Sequence, residues 1–313
     1  MSPQTLGRTL IIANPAAYSG KGENAVLFAT RYFSSFYSTA SSCEVRLIEG
    51  PDDAQRMASD THGYQSVIAL GGDRTIHEIV NGLMRLDEQN RPRLGIIPMG
   101  SSNDFARTLG MPRNDPANAI SELLHGEERR IDLGRVNDVY FVQTLSFGID
   151  AAIAIDSTDR ASKNKQAGSH LFVTSGIKII VSGLRGWPYQ AVVDGEIIEG
   201  MDFAFAVQNG PTYGGGFRIC PDAVPNDGQL DLCLTVDDLS VPQSLKLFGL
   251  IRTGKHTKSS SIAMRRMREL TVRFQSDDVP PCQADGEKLV AREYHICVVP
   301  LALRVVTPAN CPW

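Results

Sequence analysis

Four short, nearly unbroken apolar runs constrain this chain more than any other feature: TLIIA (Thr9 to Ala13), CEVRLI (Cys43 to Ile48), SVIAL (Ser66 to Leu70) and LGIIP (Leu94 to Pro98). A strand that is apolar on both faces must be covered on both, which is the situation of a parallel sheet in an α/β domain. Helical patterns alternate with these runs, at about Glu23 to Ser35, Asp52 to Thr61 and Thr75 to Leu86, then Ser102 to Leu109 and Pro116 to His125. The alternation predicts a doubly wound α/β domain over residues 1–133.

From about Arg129 the rhythm changes to strands separated by turns: Val139 to Phe147, Tyr189 to Val193, Phe203 to Val207, Leu230 to Val236, Leu270 to Phe274 and Tyr294 to Val299. Asp194-Gly195 between apolar flanks reads as a hairpin turn. Helical stretches interrupt the strands at Gly168 to Leu184 and Val241 to Arg252. The expectation is a β-rich, sandwich-like second domain over 134–313, with a boundary near Ile131 to Arg135 and last residues free to return to the first domain. A cleft between two such domains is a default ligand site.

Length and composition narrow the function. At 313 residues, 42% hydrophobic and 21% charged, the chain suits two globular domains. A net charge of -4 argues against a surface built to neutralise nucleic-acid phosphates, so no nucleic-acid partner is expected. The opening MSPQTLGRTLIIANP has its apolar run cut off by Asn14 and Pro15 and fits neither a signal peptide nor an anchor. The longest apolar stretch, Leu171 to Leu184, falls short of the roughly 20 residues that span a bilayer. These features point to the cytoplasm, with membrane contact only peripheral and a basic group at Arg265, Arg266 and Arg268 as its docking patch. Six scattered cysteines without a C-x-x-C pair read as reduced thiols rather than a zinc site or a disulfide framework.

Three strand-to-helix turns carry the chemistry. In VIALGGDRTIHEIVNGL a buried run ends in Gly71-Gly72-Asp73 and enters a helix, which suits phosphate at the helix N-terminus and Mg²⁺ on the Asp73 carboxylate. The bland alternative is a tight turn capped by Asp73 or Thr75. In IIANPAAYSGKG a loop of small residues leads to Lys21, without the spacing of a Walker P-loop. In IIPMGSSNDFARTLGMP, Gly100, Ser101, Ser102, Asn103 and Asp104 stand where hydroxyls and an amide can bond a nucleotide or merely cap a helix. All three turns lie at carboxyl ends of expected strands, where open α/β sheets bind ligands.

These turns, followed by FGIDA, NGPTYGGGFRICPDAVPNDGQLDL and ADGE in that order, resemble the diacylglycerol kinase catalytic-domain family of bacterial soluble lipid kinases, from Ile11 to the end. The resemblance implies ATP and Mg²⁺ as cofactors and a lipid hydroxyl, most typically diacylglycerol, as acceptor at a membrane surface. Sphingoid bases and NAD are acceptors in the same superfamily, and a non-catalytic nucleotide or lipid sensor is the rival of another class. Nucleotide on the first domain, acceptor on the second and transfer across the cleft is the implied arrangement, and a homodimer stays open.

The resemblance also assigns residues. Asn14 and Pro15, then Gly71, Gly72, Asp73, Arg74, Thr75, His77 and Glu78, then Ser101, Asn103 and Asp104 would form the ATP site, with Asp73 also catalytic. Glu287 would be the general base, and Asp227 with the carbonyls of Val224 and Gln229 would hold a structural magnesium. Asn209, Gly210 and Gly214 to Gly216 match the second domain's glycine-rich segment. Arg74 stands where the family has Gly, to pair with phosphates or crowd them according to its φ, and His77 replaces an Asn and reads as a surface histidine. Ile48 stands where a nucleotide-contacting Thr is common, and the loop Ala16 to Lys21 is longer than usual.

Overall fold

Three of the apolar runs become strands covered on both faces, where sheet pairing satisfies their backbone groups, whereas Cys43–Leu47 lies at the sheet edge and stays partly exposed, contrary to its reading as a doubly covered strand. The computed structural model describes residues 6–36, 43–164, 170–183, 186–202, 204–236 and 239–313. The expected element ends at Gly168, Leu184 and Phe203 lie outside these residues. The chain divides into two compact units, Met1–Ile131 with Leu301–Trp313, and Asp132–Pro300.

In the first unit β1 (Thr9–Ala13), β2 (Cys43–Leu47), β3 (Ser66–Gly71) and β4 (Arg93–Pro98) form a parallel sheet in the order β2-β1-β3-β4. Val305 of β16 (Glu293–Thr307) pairs in parallel with Leu94. Every residue of β1 and β3 is buried. Helices α1 (Gly22–Phe36) and α5 (Pro116–His125) pack together on one side, and α2 (Asp53–Ser59) packs against α3 (Asp73–Leu83) on the other. Pro at the start of α5 and the Asp115 side chain, which accepts from Asn118 N–H, explain where that helix begins.

Strand order 2-1-3-4 reverses direction between β1 and β3. At such a switch point the connections leave on opposite faces, which opens a crevice beyond the carboxyl ends of the two strands. Open α/β sheets bind their ligands at such a crevice.

The last residues of β5 (Glu127–Val136) pair antiparallel with β6 (Val139–Phe141), and the second unit holds two antiparallel layers. One runs β12 (Ile262–Met267), β11 (Leu230–Thr235), β10 (Ala204–Gln208), β7 (Thr144–Phe147), β14 (Cys282–Ala284), β15 (Glu287–Leu289). In the other, β13 (Glu269–Phe274) lies between residues Glu293 to Cys297 of β16 and β8 (Trp187–Val193), which pairs with β9 (Glu196–Asp202). Period-two alternation sends Phe205 and Val207 into the core shared with Trp187, Tyr189 and Tyr294, while Ala206 and Cys233 face the opposite way. Phe147 anchors that core, with ring centroids 5.4 Å from Phe205 and 5.0 Å from Tyr294 in edge-to-face contact.

Against the other face of β10 and β11 pack α6 (Gly148–Asn164), α7 (His170–Ser182) and α8 (Val241–Ile251), which share a second core of Ile153, Phe172, Ile180, Phe217 and Phe248. The Asp194-Gly195 turn joins β8 to β9 with φ of 47° and 89°, as a two-residue hairpin requires. All six cysteines are free. Among the described residues, no helix is long and apolar enough to cross a membrane.

Candidate active site

Three turns leave the sheet of the first unit at its carboxyl edge. Asn14 and Pro15 follow β1; Asn14 N–H donates to Leu70 O at 2.9 Å, and its Oδ1 accepts from Ala16 N–H at 3.0 Å. Gly71 closes β3, Gly72 is the extended residue that begins α3, and Asp73 is its first helical residue. Neither glycine has a positive φ; both are required by crowding. A Cβ on Gly71 would lie 2.5 Å from Thr75 Oγ1, and one on Gly72 would lie 3.2 Å from the Cα of Gly100. The turns after β3 and β4 therefore lie back to back.

The third turn is ordered by amides. Asn103 takes φ 50° and donates from Nδ2 to Gly100 O at 2.9 Å, while Asn114 Oδ1 accepts from Gly100 N–H at 3.1 Å. Asn103 Oδ1 is buried and has no partner. Asp104 begins α4 (Asp104–Leu109) and is buried, whereas Ser101 is exposed. Asp73 Oδ1 accepts from Phe105 N–H at 3.4 Å and so ties the second turn to the third. The sequence-expected residues Asn14, Pro15, Gly71, Gly72, Asp73, Thr75, Asn103 and Asp104 are thus gathered at one edge.

Two of the departures resolve physically. Arg74 lies in the first turn of α3 without a positive φ, so a side chain fits there without strain, and its Nε pairs with Glu78 Oε1 at 3.1 Å, one helical turn on. His77 is not a surface histidine: it is buried on α3, where Asn81 Nδ2 lies 3.3 Å from its Nε2. The cause is that α3 is buried almost all round: from Thr75 to Leu83 every residue but Glu78 is buried.

The second unit carries the other candidates. Asp285 (φ 48°) and Gly286 (φ 94°) make a two-residue turn from β14 to β15 that presents Glu287 as the first residue of β15. The Asp285 carboxylate accepts from three consecutive backbone donors, Val142 N–H at 2.8 Å and Gln143 and Thr144 N–H at 3.0 Å. Asp285 N–H in turn donates to Thr144 O at 2.9 Å. Asp285 therefore positions the turn that carries Glu287, a role its place in ADGE does not reveal.

Val224, Asp227 and Gln229 lie in the segment that leads into β11. Asp227 Oδ1 accepts from Gln229 N–H at 3.0 Å, and Oδ2 is buried without a hydrogen bond, 3.3 Å from Arg266 Nη1. Burial first, then the charges of Asp227 and Asp222, push the Asp231 carboxyl up to about 6 against the opposing pull of Arg266. Asp227 and Asp231 share the one Arg266 guanidinium, at 3.3 Å and 3.6 Å, and a carboxylate oxygen without a hydrogen bond is the kind of hard donor a divalent ion takes. In that one respect Asp227 is chemically suited to the magnesium that the resemblance implies there. Arg266 is also no part of a free docking patch, and Arg265 pairs with Glu196 at 2.8 Å, so the expected basic surface is largely neutralised.

Between the outer face of β10 and β11 and helices α6, α7 and α8 lies a narrow cavity. Its walls are apolar, with Ile153, Ile180, Leu247, Phe248 and Ile262 among them. Asp150, Tyr213 and His256 are polar members of the lining that sequence reasoning missed. The available signal was a carboxylate inside the otherwise apolar FGIDA.

Residues 8–136 match the Diacylglycerol kinase catalytic domain and residues 143–307 match the YegS C-terminal NAD kinase beta sandwich-like domain. The chain is 34% identical over 268 residues to a "Probable lipid kinase YegS-like" of Chromohalobacter salexigens, covering 83% of this chain and 82% of that protein. It is 33% identical over 257 residues to a diacylglycerol kinase of Mycobacterium tuberculosis, covering 81% and 80%. A crystal structure of a diacylglycerol kinase from Bacillus anthracis superposes with a TM-score of 0.79 at 21% identity, covering 97% of this chain and 98% of that one, and so shares the fold. The chain belongs to the diacylglycerol kinase catalytic-domain family. Within that family it is a lipid kinase.

Proposed function

We propose that this lipid kinase transfers the γ-phosphoryl group of ATP, with Mg²⁺, to the free hydroxyl of diacylglycerol presented at a membrane surface. The observation that carries the nucleotide half is the gathering of the Asn14, Gly71–Asp73 and Asn103 turns at the β1/β3 switch point. Backbone N–H groups at the start of α3, with glycines that let a ligand approach closely, favour the phosphates. Asn103 Oδ1, an acceptor in want of a donor, suits an amino or hydroxyl group of the nucleoside.

Asp73 is the residue for the nucleotide's magnesium, and Asp227 with the Val224 and Gln229 carbonyls for a structural one. When bound, magnesium neutralises charge on the β- and γ-oxygens. Phosphoryl transfer asks the protein chiefly to position groups and stabilise charge, so the chain's own part is small. Glu287, aimed by the Asp285 clamp, accepts the acceptor's proton. The apolar cavity of the second unit supports a lipid acceptor, since its walls offer little to a sugar or to NAD.

The test is labelled-phosphate transfer from ATP to diacylglycerol, a sphingoid base, NAD and a sugar alcohol, each with and without detergent micelles. Labelling of diacylglycerol that depends on micelles is expected. Labelling of water-soluble acceptors alone would overturn the reading.

A further inference from the structure

Helix α4 has six residues, too few to hold a helix in water unaided, yet it starts at Asp104, where the third nucleotide turn ends. Whatever fixes its far end therefore bears on that turn. A helix leaves its last carbonyls without an internal donor, and the natural partner of Thr108 O would be the N–H of residue 112, which is a proline and has none. Trp313 supplies a donor instead. Its indole Nε1–H reaches Thr108 O at 2.8 Å.

Trp313 is half-buried and is held from two sides. Cys311 N–H donates to Pro308 O at 3.1 Å, in a turn that follows β16. Pro312 then packs on Gly110, the residue of positive φ that ends α4, so closely that a Cβ there would lie 3.0 Å from Pro312 Cδ. On the other side the guanidinium carbon of Arg129, on β5, lies 5.4 Å from the centre of the Trp313 ring, and Arg129 Nη1 donates to Trp313 O. The indole is fixed by β5 on one side and by α4 on the other.

Two paths lead from this contact to the nucleotide turns. Along α4, Arg107 Nε donates to Ser102 O at 3.3 Å, and Phe105 N–H donates to Asp73 Oδ1 at 3.4 Å. Beyond Gly110 the chain doubles back, and Asn114 N–H donates to Pro98 O at 2.9 Å at the end of β4. There Asn114 Oδ1 accepts from Gly100 N–H at 3.1 Å and from Asn103 Nδ2 at 3.3 Å. Both paths end in the turn of residues 100–104.

We propose that Trp313 is a positioning residue for the nucleotide: by holding α4 and residues 110–114 it keeps the third turn in the shape that binds ATP. Coupling between two sites is reciprocal in binding free energy, so bound ATP must in return hold Trp313 in place. The inference rests on the nucleotide-site reading and adds to it a residue that touches no nucleotide.

The experiment uses the full chain and compares the native protein with Trp313→Ala and Trp313→Phe. Trp313→Ala should raise both the Kd and the KM for Mg-ATP about fivefold or more, the lower end of ordinary coupling between sites, while kcat at saturating ATP and the KM for diacylglycerol stay near native. Trp313→Phe keeps a ring for Arg129 but has no N–H, and should fall between the two. A merely structural residue would lower Tm and leave the ATP constants where they were. A second measurement needs no folded Trp313 variant. The chain has two tryptophans, and with isotope-labelled tryptophan the exchange of each indole N–H with solvent is followed by NMR, the signals being assigned through Trp187→Phe. Mg-ATP should slow exchange of the Trp313 indole N–H about fivefold or more and leave that of Trp187 unchanged. Native ATP constants in Trp313→Ala, or a Trp313 exchange rate indifferent to ATP, would overturn the inference and leave the lipid-kinase reading intact. Failure of the native chain to bind Mg-ATP at all would overturn the nucleotide-site reading and the inference together.

Discussion

Replacing Asp285 by Asn asks whether its carboxylate holds the turn that carries Glu287. Both carboxylate oxygens are used, Oδ2 by Val142 N–H and Oδ1 by the N–H groups of Gln143 and Thr144. Asparagine keeps the shape, but one oxygen becomes an NH₂ group that faces an N–H. The loss of one hydrogen bond to a charged acceptor costs about 1.5–3 kcal/mol and the stranded buried donor about 1–3 kcal/mol, so a total of about 3–5 kcal/mol is expected. Urea unfolding with an unchanged slope measures it as a fall in midpoint. Activity should fall with stability, because Glu287 is only two residues away and loses its fixed direction. A loss under about 1 kcal/mol with unchanged kcat would show that the carboxylate does not position the base, and the reasoning from these distances would fail.

The other predictions concern the chemistry itself. Asp73→Asn should abolish turnover with folding intact; near-native phosphorylation with the same Mg²⁺ requirement would remove Asp73 from the metal's coordination. Arg74→Ala should raise the KM for ATP, because the guanidinium, 61% exposed, can exchange its pairing with Glu78 for phosphate; tighter ATP binding would mark Arg74 as an obstruction. Asp231, pushed up to about 6 by burial, holds its extra proton in the folded state between roughly pH 4 and 6, so its cost to stability grows as pH rises through that window and is complete above it. Asp231→Asn should flatten that slope, and Mg²⁺ should raise Tm more at pH 7 than at pH 5; an equal rise at both would argue against a divalent ion beside Asp227.

Strands β1, β3 and β4 were legible because burial on both faces leaves no polar alternation to blur them, while β2 at the sheet edge is only partly buried. Thr9–Ala13 and Pro116–His125 occur with the bounds their patterns predict. The second unit was harder to read. Helix α6 begins at the tip of β7 and carries Asp156, Asp159 and Arg160 where an apolar face would be sought. Strand β9 exposes Ile197 and Met201, so its apolar residues do not mark a core, and β14 and β15 are too short to leave a periodic trace.

At the candidate site the glycines and acids could be read, since close backbone approach and charge both demand particular residue types. The reason for Gly72, the burial of His77 and the clamp made by Asp285 could not, because each depends on segments distant in sequence. The Asp150–Tyr213 pair was hidden for the same reason, with its partners 63 residues apart.

The most direct measurement is transfer of labelled γ-phosphate from ATP to diacylglycerol in mixed micelles, by the native chain and by Glu287→Gln, with nucleotide affinity determined on the same samples. The account predicts labelled phosphatidate from the native chain and a fall in kcat of roughly 10²-fold or more in the variant, with ATP affinity nearly unchanged. No lipid labelling by the native chain, or a variant whose ATP affinity collapses as far as its turnover, would contradict it.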